Sequence, residues 1–303
     1  MFRPKKYASI RCGGKLEASA TSPDAGDPAP LNLLRDSWLP VLRRSGTRDT
    51  IRPAQVTPTN DPDPVVALDW PRADFRFACY EFLIGLLSTA FPPEGSMAWR
   101  DLWEEPPAPE VLDEAFAPIA HAFALDGDGP RFLQDLEDLA SEPEPIERLL
   151  IESPGASTLR NNTDLLVRRN RLASLGRPAA AMALYAFQSW APAGGAGNRT
   201  GLRGGGPLCT LVAPPEGGTL WRLLWANVLP GLPPDPDDLP KILPWLAPTV
   251  TSEGARVVTP GVRRRMLWDS EEADLAEAPA HLVMDVRRLD AGAASVVVGG
   301  SGA

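Results

Sequence analysis

Residues 74–91 place the strongest constraint on how this chain can fold, because apolar side chains occupy most faces of the helix that their spacing predicts. A helix that is apolar on most faces has to be surrounded by other parts of the protein. Its unbroken apolar runs are well short of the ~20 residues that cross a bilayer, and Arg76 and Glu81 interrupt them. The segment therefore predicts a helix buried in a core, and not a membrane-spanning helix.

The composition agrees with a folded domain that has many irregular connections. Of the 303 residues, 44% are hydrophobic and 23% are charged, shares that are typical of soluble globular proteins. The 34 prolines are more than twice the roughly 5% share of an average protein, so long irregular loops are expected. We predict a mixed α+β domain, rich in helix, with small antiparallel sheets and long irregular loops.

Shorter elements are predicted on both sides of the apolar helix. Strand patterns at residues 33–41 and 50–52, with a turn at 45–47, predict an edge β-hairpin. Helices are predicted at residues 111–125, 131–139, 178–190 and 219–229, and proline-rich loops at 91–109 and 230–240. Trp99 and Trp103 are expected to pack against the core. Stacking on bases is their less favoured role, because the neighbouring Glu104 and Glu105 disfavour contact with phosphate.

The cysteines and histidines argue against several classes of enzyme and metal site. Three cysteines lie far apart without a C-x-x-C pair, which excludes a standard zinc ribbon and favours a reducing cytoplasm. With two histidines, the chain shows no H-E-x-x-H motif and no Ser-His-Asp order, so an enzyme would have to rely on carboxylates alone. We therefore expect no catalytic residue, no metal and no cofactor.

Residues 152–212 form a basic island in an acidic chain. Seven arginines stand there against two acidic residues, a local net charge of +5, whereas the whole chain has a net charge of −9. This island has two loops, one on each side of the apolar helix predicted at residues 178–190. The contrast in charge suggests a localised site for a polyanion.

The loop after that helix is rich in glycine. Glycines let a ligand approach the backbone closely, and amide and guanidinium donors follow them at the loop's edge: Gly194, Gly195, Gly197, Asn198, Arg199 and Arg203. Such donors suit the base acceptors of a DNA minor groove. The alternative is a glycine-rich connector with solvated arginines. A nucleotide loop is rejected, because no Gly-Lys-Ser/Thr occurs and Thr200 replaces the third glycine of G-x-G-x-x-G.

The loop before the helix mixes apolar, amide and basic side chains. We predict DNA contacts from Asn161, Asn162, Leu165, Leu166, Arg168, Arg169, Asn170 and Arg171. This composition suits an apolar wedge that unstacks bases, together with cations that hold the DNA backbone. The alternative is that residues 165–167 form a short buried strand and the arginines are its solvated flank.

Four stretches resemble the CasA family, the large subunit of the type I-E CRISPR interference complex Cascade. They are NLLRDSWLPV at residues 32–41, RDTIRP at 48–53, LLIESPGASTLRNNTD at 149–164 and, most specifically, APAGGAGNRTGLRGG at 191–205. The resemblance covers about residues 32–268. It places the family's glycine loop at residues 194–198 and its first recognition loop at about 161–171, which lacks an aromatic residue found in some relatives.

The resemblance implies a non-catalytic subunit in the cytoplasm that inspects double-stranded DNA for the protospacer-adjacent motif from the minor-groove side. It also implies that the subunit helps to open the duplex and admits a helicase-nuclease. The implied partners are other Cascade subunits and CRISPR RNA. The alternative is a truncated structural fragment of that subunit without DNA-reading activity.

The resemblance and the composition divide the chain into four parts. Residues 1–30 are expected to be a disordered leader and residues 31–230 a CasA-like amino-terminal DNA-recognition domain. Residues 231–268 are expected to be a linker and the terminal part of the same domain, and residues 269–303 an unrecognised tail. The chain thus resembles a CasA amino-terminal domain that stops early.

Overall fold

The computed structural model describes residues 29–134, 136, 145–170, 172–190, 211–214 and 218–247. Residues 1–28 of the predicted leader, the predicted glycine loop and the predicted tail lie outside this part of the chain. The strands are β1 (Leu39–Arg43), β2 (Arg48–Ile51) and β3 (Val65–Leu68). The helices are α1 (Ala73–Ala90), α2 (Ser96–Glu104), α3 (Pro109–Phe116), α4 (Ala156–Asn161), α5 (Arg177–Trp190), α6 (Leu220–Trp225) and α7 (Leu239–Ile242). This helix-rich architecture with one small antiparallel sheet confirms the predicted α+β class.

The sheet has three antiparallel strands in the order β2-β1-β3. Leu39 of β1 lies opposite Ile51, and Val41 lies opposite Leu68. These side chains are buried, so one face of the sheet packs on the core. The predicted hairpin is present, but its first strand is central and not at an edge, because β3 pairs with its other side.

The predicted first strand also begins six residues later than expected. Its first part is a turn, because the side-chain oxygen of Asn32 accepts hydrogen bonds from the backbone N–H groups of Leu34 (3.0 Å) and Arg35 (3.2 Å). Leu33 donates its N–H to Phe123 O at 2.9 Å. The apolar residues of this stretch are therefore buried where an isolated β-bridge between Asn32 and Ala124 joins it to a distant segment, and not as part of the three-stranded sheet.

Helix α1 lies at the centre of the core, as its apolar faces predict. It packs against α5, α6 and β3. Its Phe82 ring meets the rings of Trp38, Phe123, Phe132 and Tyr185 at centroid distances of 5.7–6.4 Å. Within the described ranges, no helix is long and apolar enough to span a membrane.

Residues 91–109, predicted as a loop, contain helix α2. The prolines lie outside the helix, and Trp99, Leu102 and Trp103 repeat at helical spacing on the face that packs on the core. Trp99 Nε1 donates to Val228 O at 2.9 Å, and Trp225 Nε1 donates to Trp99 O at 2.9 Å. The expectation that these tryptophans pack against the core is confirmed.

Two of the predicted helices are shorter than expected. In place of one helix at residues 111–125, α3 is followed by a 3-10 helix at Ala117–Phe123 with Pro118 in its first turn, where proline has no N–H to donate. Residues 131–134 form a turn in which Leu133 has a φ of +54°, so no helix begins at Arg131. Most of the remainder of that predicted helix lies outside the described residues.

The proline-rich stretch after residue 230 leads back to the same core. A 3-10 turn at Pro236–Asp238 and helix α7 follow it, and Leu239 and Leu243 are buried. Trp245 then packs edge-on against Phe132 with a centroid distance of 5.3 Å, and its Nε1 donates to Ala122 O. The chain up to Trp245 therefore contributes to one hydrophobic core.

Candidate nucleic-acid interface

The first predicted recognition loop begins at the end of a short helix. Helix α4 ends at Asn161, and the residue that follows, Asn162, has the left-handed backbone conformation (φ +52°) that asparagine tolerates better than most residues. The N–H of Thr163 then bonds to Thr158 O at 3.1 Å. These two features turn the chain away from the helix axis into residues 164–170.

Two leucines form the outermost point of this loop. The N–H of Val167 donates to Asp164 O at 3.1 Å, which closes a turn with Leu165 and Leu166 at its centre. Leu165 is 90% exposed and Leu166 is 100% exposed. The alternative of a buried strand at residues 165–167 is therefore wrong, because the turn directs both side chains into solvent.

Arg169 closes the base of the same loop. Its guanidinium donates to both carboxylate oxygens of Asp164, to Leu159 O at 3.1 Å and to the side-chain oxygen of Asn162 at 3.1 Å. The Asp164 side chain is only 6% exposed, whereas that of Arg169 is 37% exposed. Asp164 is thus largely covered by its partner and by the loop backbone.

This ion pair predicts an acid titration. The hydrogen bond from Arg169 lowers the pKa of the Asp164 carboxyl below its ordinary value. Because the folded pKa is the lower one, the pair stabilises the loop fully at neutral pH and is lost only as the pH falls through that lowered value. In NMR, the midpoint for Asp164 should rise in Arg169→Ala, and equal midpoints in both proteins would contradict the pairing.

The other arginines of the basic island differ in their surroundings. Arg160 and Arg168 are exposed, and neither side chain makes a hydrogen bond or an ion pair within the described part of the chain. Arg177, at the start of α5, donates to Ala29 O at 2.7 Å and pairs with Asp126 at 3.2 Å. Arg160 was not among the predicted site residues, although its charge and its place before Asn161 could have indicated it.

Both acidic residues of the island pair with arginine. Asp164 pairs with Arg169, and Glu152 pairs with Arg72 at 2.8 Å, while Arg72 also binds Asp74 at the start of α1. Partial burial raises the pKa of Glu152, but the hydrogen bonds and charge of Arg72, together with a backbone hydrogen bond, outweigh this effect and hold its pKa below the ordinary value. Neither carboxylate of the island therefore opposes the charges of Arg160 and Arg168 directly.

The first loop is attached to the helix that precedes the glycine loop. The N–H of Asn170 donates to Glu147 Oε1 at 3.3 Å, and Glu147 belongs to a 3-10 helix (Ile146–Leu149) that packs against α5. Helix α5 ends at Trp190, the last described residue before the glycine loop. Helix α5 thus packs against the segment that binds the first loop, and in the sequence it directly precedes the glycine loop.

The remaining predicted site residues lie outside the described residues, so their contacts stay predictions. They are Arg171, Gly194, Gly195, Gly197, Asn198, Arg199 and Arg203. Of the described ones, Asn161, Asn162, Leu165, Leu166, Arg168, Arg169 and Asn170 are all exposed and lie in one loop. The structure therefore brings these seven together on a surface.

The fold and this loop define a class: a helix-rich α+β protein that presents a cationic loop with an apolar tip. Residues 32–290 match the sequence model of a protein family described as CRISPR-associated protein Cse1. Since this match spans most of the chain, the protein belongs to the Cse1 family.

Solved structures share the fold. A CRISPR-associated protein from Thermus thermophilus is similar, with a TM-score of 0.53 and 21% identity. The match covers 73% of this chain and 43% of the Thermus protein. Cse1 from Acidimicrobium ferrooxidans is similar with a TM-score of 0.52, at the same identity and coverages. Thermus thermophilus CasA (Cse1) is similar, with a TM-score of 0.50 and 19% identity, and the match covers 69% of this chain and 44% of that protein. The chain spans less than half the length of these relatives.

Proposed function

We propose that this protein acts in the cytoplasm as the DNA-recognition part of the large subunit of a type I-E CRISPR RNA-guided complex. In such a complex, base pairing with the guide reads the target, and protein reads a short flanking motif. The proposed partners are double-stranded target DNA, CRISPR RNA, other Cascade subunits and the helicase-nuclease of the system. Cleavage is assigned to that last partner, and this chain is assigned binding alone.

The observation that carries the proposal is the exposed first loop in a member of the Cse1 family. Arg160 and Arg168 are exposed, and along the chain they precede and follow an apolar tip. Arginine side chains that neutralise phosphates release counterions from DNA, which supplies affinity without regard to sequence. The adjacent leucines have the chemistry of side chains that enter between base steps in minor-groove complexes.

The two loops are proposed to have different roles. Contacts to phosphate fix the position of a protein on the duplex, whereas contacts to base edges carry the sequence information. We assign the first role to Arg168 and Arg199. The second role falls to the backbone of residues 194–198 and to Asn198, because the minor groove offers acceptors at adenine N3 and thymine O2.

The test is the double variant Arg168→Ala, Arg199→Ala in the assembled complex. Binding to a duplex that matches the guide is measured over a range of salt concentrations. The affinity should fall for all flanking sequences, and the slope of log K against log salt concentration should become shallower by about 2, since two phosphate contacts are removed.

Arg100→Ala is the matched control for this experiment. Arg100 is exposed on α2 and its side chain makes no hydrogen bond or ion pair with any described residue, so its replacement changes the net charge without changing the proposed interface. If the double variant binds as the control does, the proposed function fails. A structural subunit that does not contact DNA is then the better description.

A further inference from the structure

The guanidinium of Arg169 is already engaged by its own loop. The three N–H groups of Nε and Nη2 meet four acceptor atoms, one N–H being shared between two of them: both oxygens of the Asp164 carboxylate, Leu159 O and the side-chain oxygen of Asn162. A bidentate pair of this kind is geometrically specific and stronger than a hydrogen bond between neutral groups. To reach a phosphate with the same nitrogens, Arg169 would have to leave a carboxylate that is only 6% exposed. That carboxylate would then stay in the loop without its cation, which is unfavourable.

We propose that Arg169 is a positioning residue, which holds the first loop in its extended form and does not itself contact nucleic acid. The inference rests on the proposed function of this loop. Arg169 connects three parts of the loop: the last turn of α4 through Leu159, the helix end through Asn162, and the turn through Asp164. The side chain therefore closes residues 159–169 into one unit.

What Arg169 positions is the apolar tip and the neighbouring cation. Two leucines that are 90% and 100% exposed lose the favourable free energy that burial on the protein surface would supply. A loop without internal bonds is free to fold back and bury them. The Asp164 turn and the Arg169 pair oppose this movement, and Arg168, which directly precedes Arg169 in the chain, remains in solvent.

A pre-formed loop also has a consequence for binding. Ordering a flexible loop on binding costs conformational entropy, and this cost is reduced when the loop is already held in its bound form. Arg169 should therefore contribute to affinity without being one of the phosphate contacts. Replacing Arg168 should lower the affinity and also make the salt dependence shallower. Replacing Arg169 should lower the affinity and leave the salt dependence unchanged.

The experiment compares Arg169→Ala, Asp164→Asn and Arg168→Ala, and uses two measurements. Hydrogen exchange of residues 163–170 in the full chain without DNA reports on the loop itself. We expect faster exchange in Arg169→Ala and Asp164→Asn, including at the Val167 amide, and no change in Arg168→Ala. DNA binding by the assembled complex, measured against salt concentration, reports on contact.

Asp164→Asn distinguishes the two roles of Arg169, because they predict opposite changes in DNA affinity. It removes a negative charge and releases Arg169, so a direct phosphate contact by Arg169 predicts tighter DNA binding. A positioning role predicts weaker binding with an unchanged salt slope for both Asp164→Asn and Arg169→Ala, whereas Arg168→Ala makes the slope shallower by about 1.

The inference is overturned if Asp164→Asn tightens binding, if Arg169→Ala changes the slope as Arg168→Ala does, or if exchange in the loop stays the same. The proposed function fails differently. In that case all three variants bind DNA as the unmodified complex does, while exchange in the loop still increases in Arg169→Ala. That result would show that Arg169 stabilises the loop and that the loop does not bind DNA.

Discussion

Replacing Phe82 with alanine is expected to lower the free energy of unfolding by about 3–5 kcal/mol. Phe82 is fully buried, and its ring meets four other rings from four different segments. The shorter side chain leaves a cavity, because those rings are held by their own helices and turns and cannot all move inward. Unfolding by chemical denaturant, followed by tryptophan fluorescence, measures the change.

Phe77→Ala is the matched control, since it makes the same change in the same helix. Phe77 is 39% exposed and has its ring contact with Tyr80 alone among the described residues, at 6.5 Å. Its removal should cost about 1 kcal/mol or less. Similar losses for Phe82→Ala and Phe77→Ala would contradict the central place of Phe82 in the core.

Trp245→Ala is expected to cost a similar amount, about 3–5 kcal/mol. Trp245 is 4% exposed, its ring packs against Phe123 and Phe132, and its Nε1 donates to Ala122 O. The alanine variant loses the ring and leaves that carbonyl without this donor. Because Trp245 lies beyond the proline-rich stretch, the loss measures how much the last described segment contributes to the core.

Trp245→Phe separates the two contributions. It keeps an aromatic ring and removes the hydrogen bond, so a loss of about 1–2 kcal/mol is expected. In both variants the unfolding should remain a single transition, since the segment has no separate core. A loss below about 1 kcal/mol in Trp245→Ala, or two resolved transitions, would show that the segment is only loosely attached.

Patterns within one element predicted the main helices well. The apolar faces of residues 74–91 and 178–190 agree with α1 and α5 to within one residue at each end. The helix predicted at 219–229 is present as α6 but ends four residues earlier, at Trp225. In each case the hydrophobic period is a property of neighbouring residues, and the core covers the face that this period defines.

Elements that depend on a distant partner were not predicted. Strand β3 has four residues and follows a proline-rich loop, so its period is too short to identify it. It becomes a strand because β1 offers a free edge for pairing. The prolines that flank α2 predict a loop, but the helix is held by tryptophan contacts with α6 and the residues that follow it.

The same distinction applies to the candidate site. The composition of residues 161–170 indicated a basic loop with an apolar centre, and the structure adds that the leucines are exposed and that the arginines are not equivalent. No spacing rule assigns Asp164 to Arg169, because that pair requires the left-handed residue at Asn162 and the turn after it.

The sequence by itself determined the α+β class, the residues of the buried helix and the place of the basic island, since each depends on which residues are neighbours along the chain. Only the tertiary structure decided that β1 is the central strand, that Trp245 completes the core and that Arg169 is neutralised while Arg168 is not. These outcomes depend on the path of the backbone, which brings together groups that no local pattern connects, and on the burial that decides which charges must be paired.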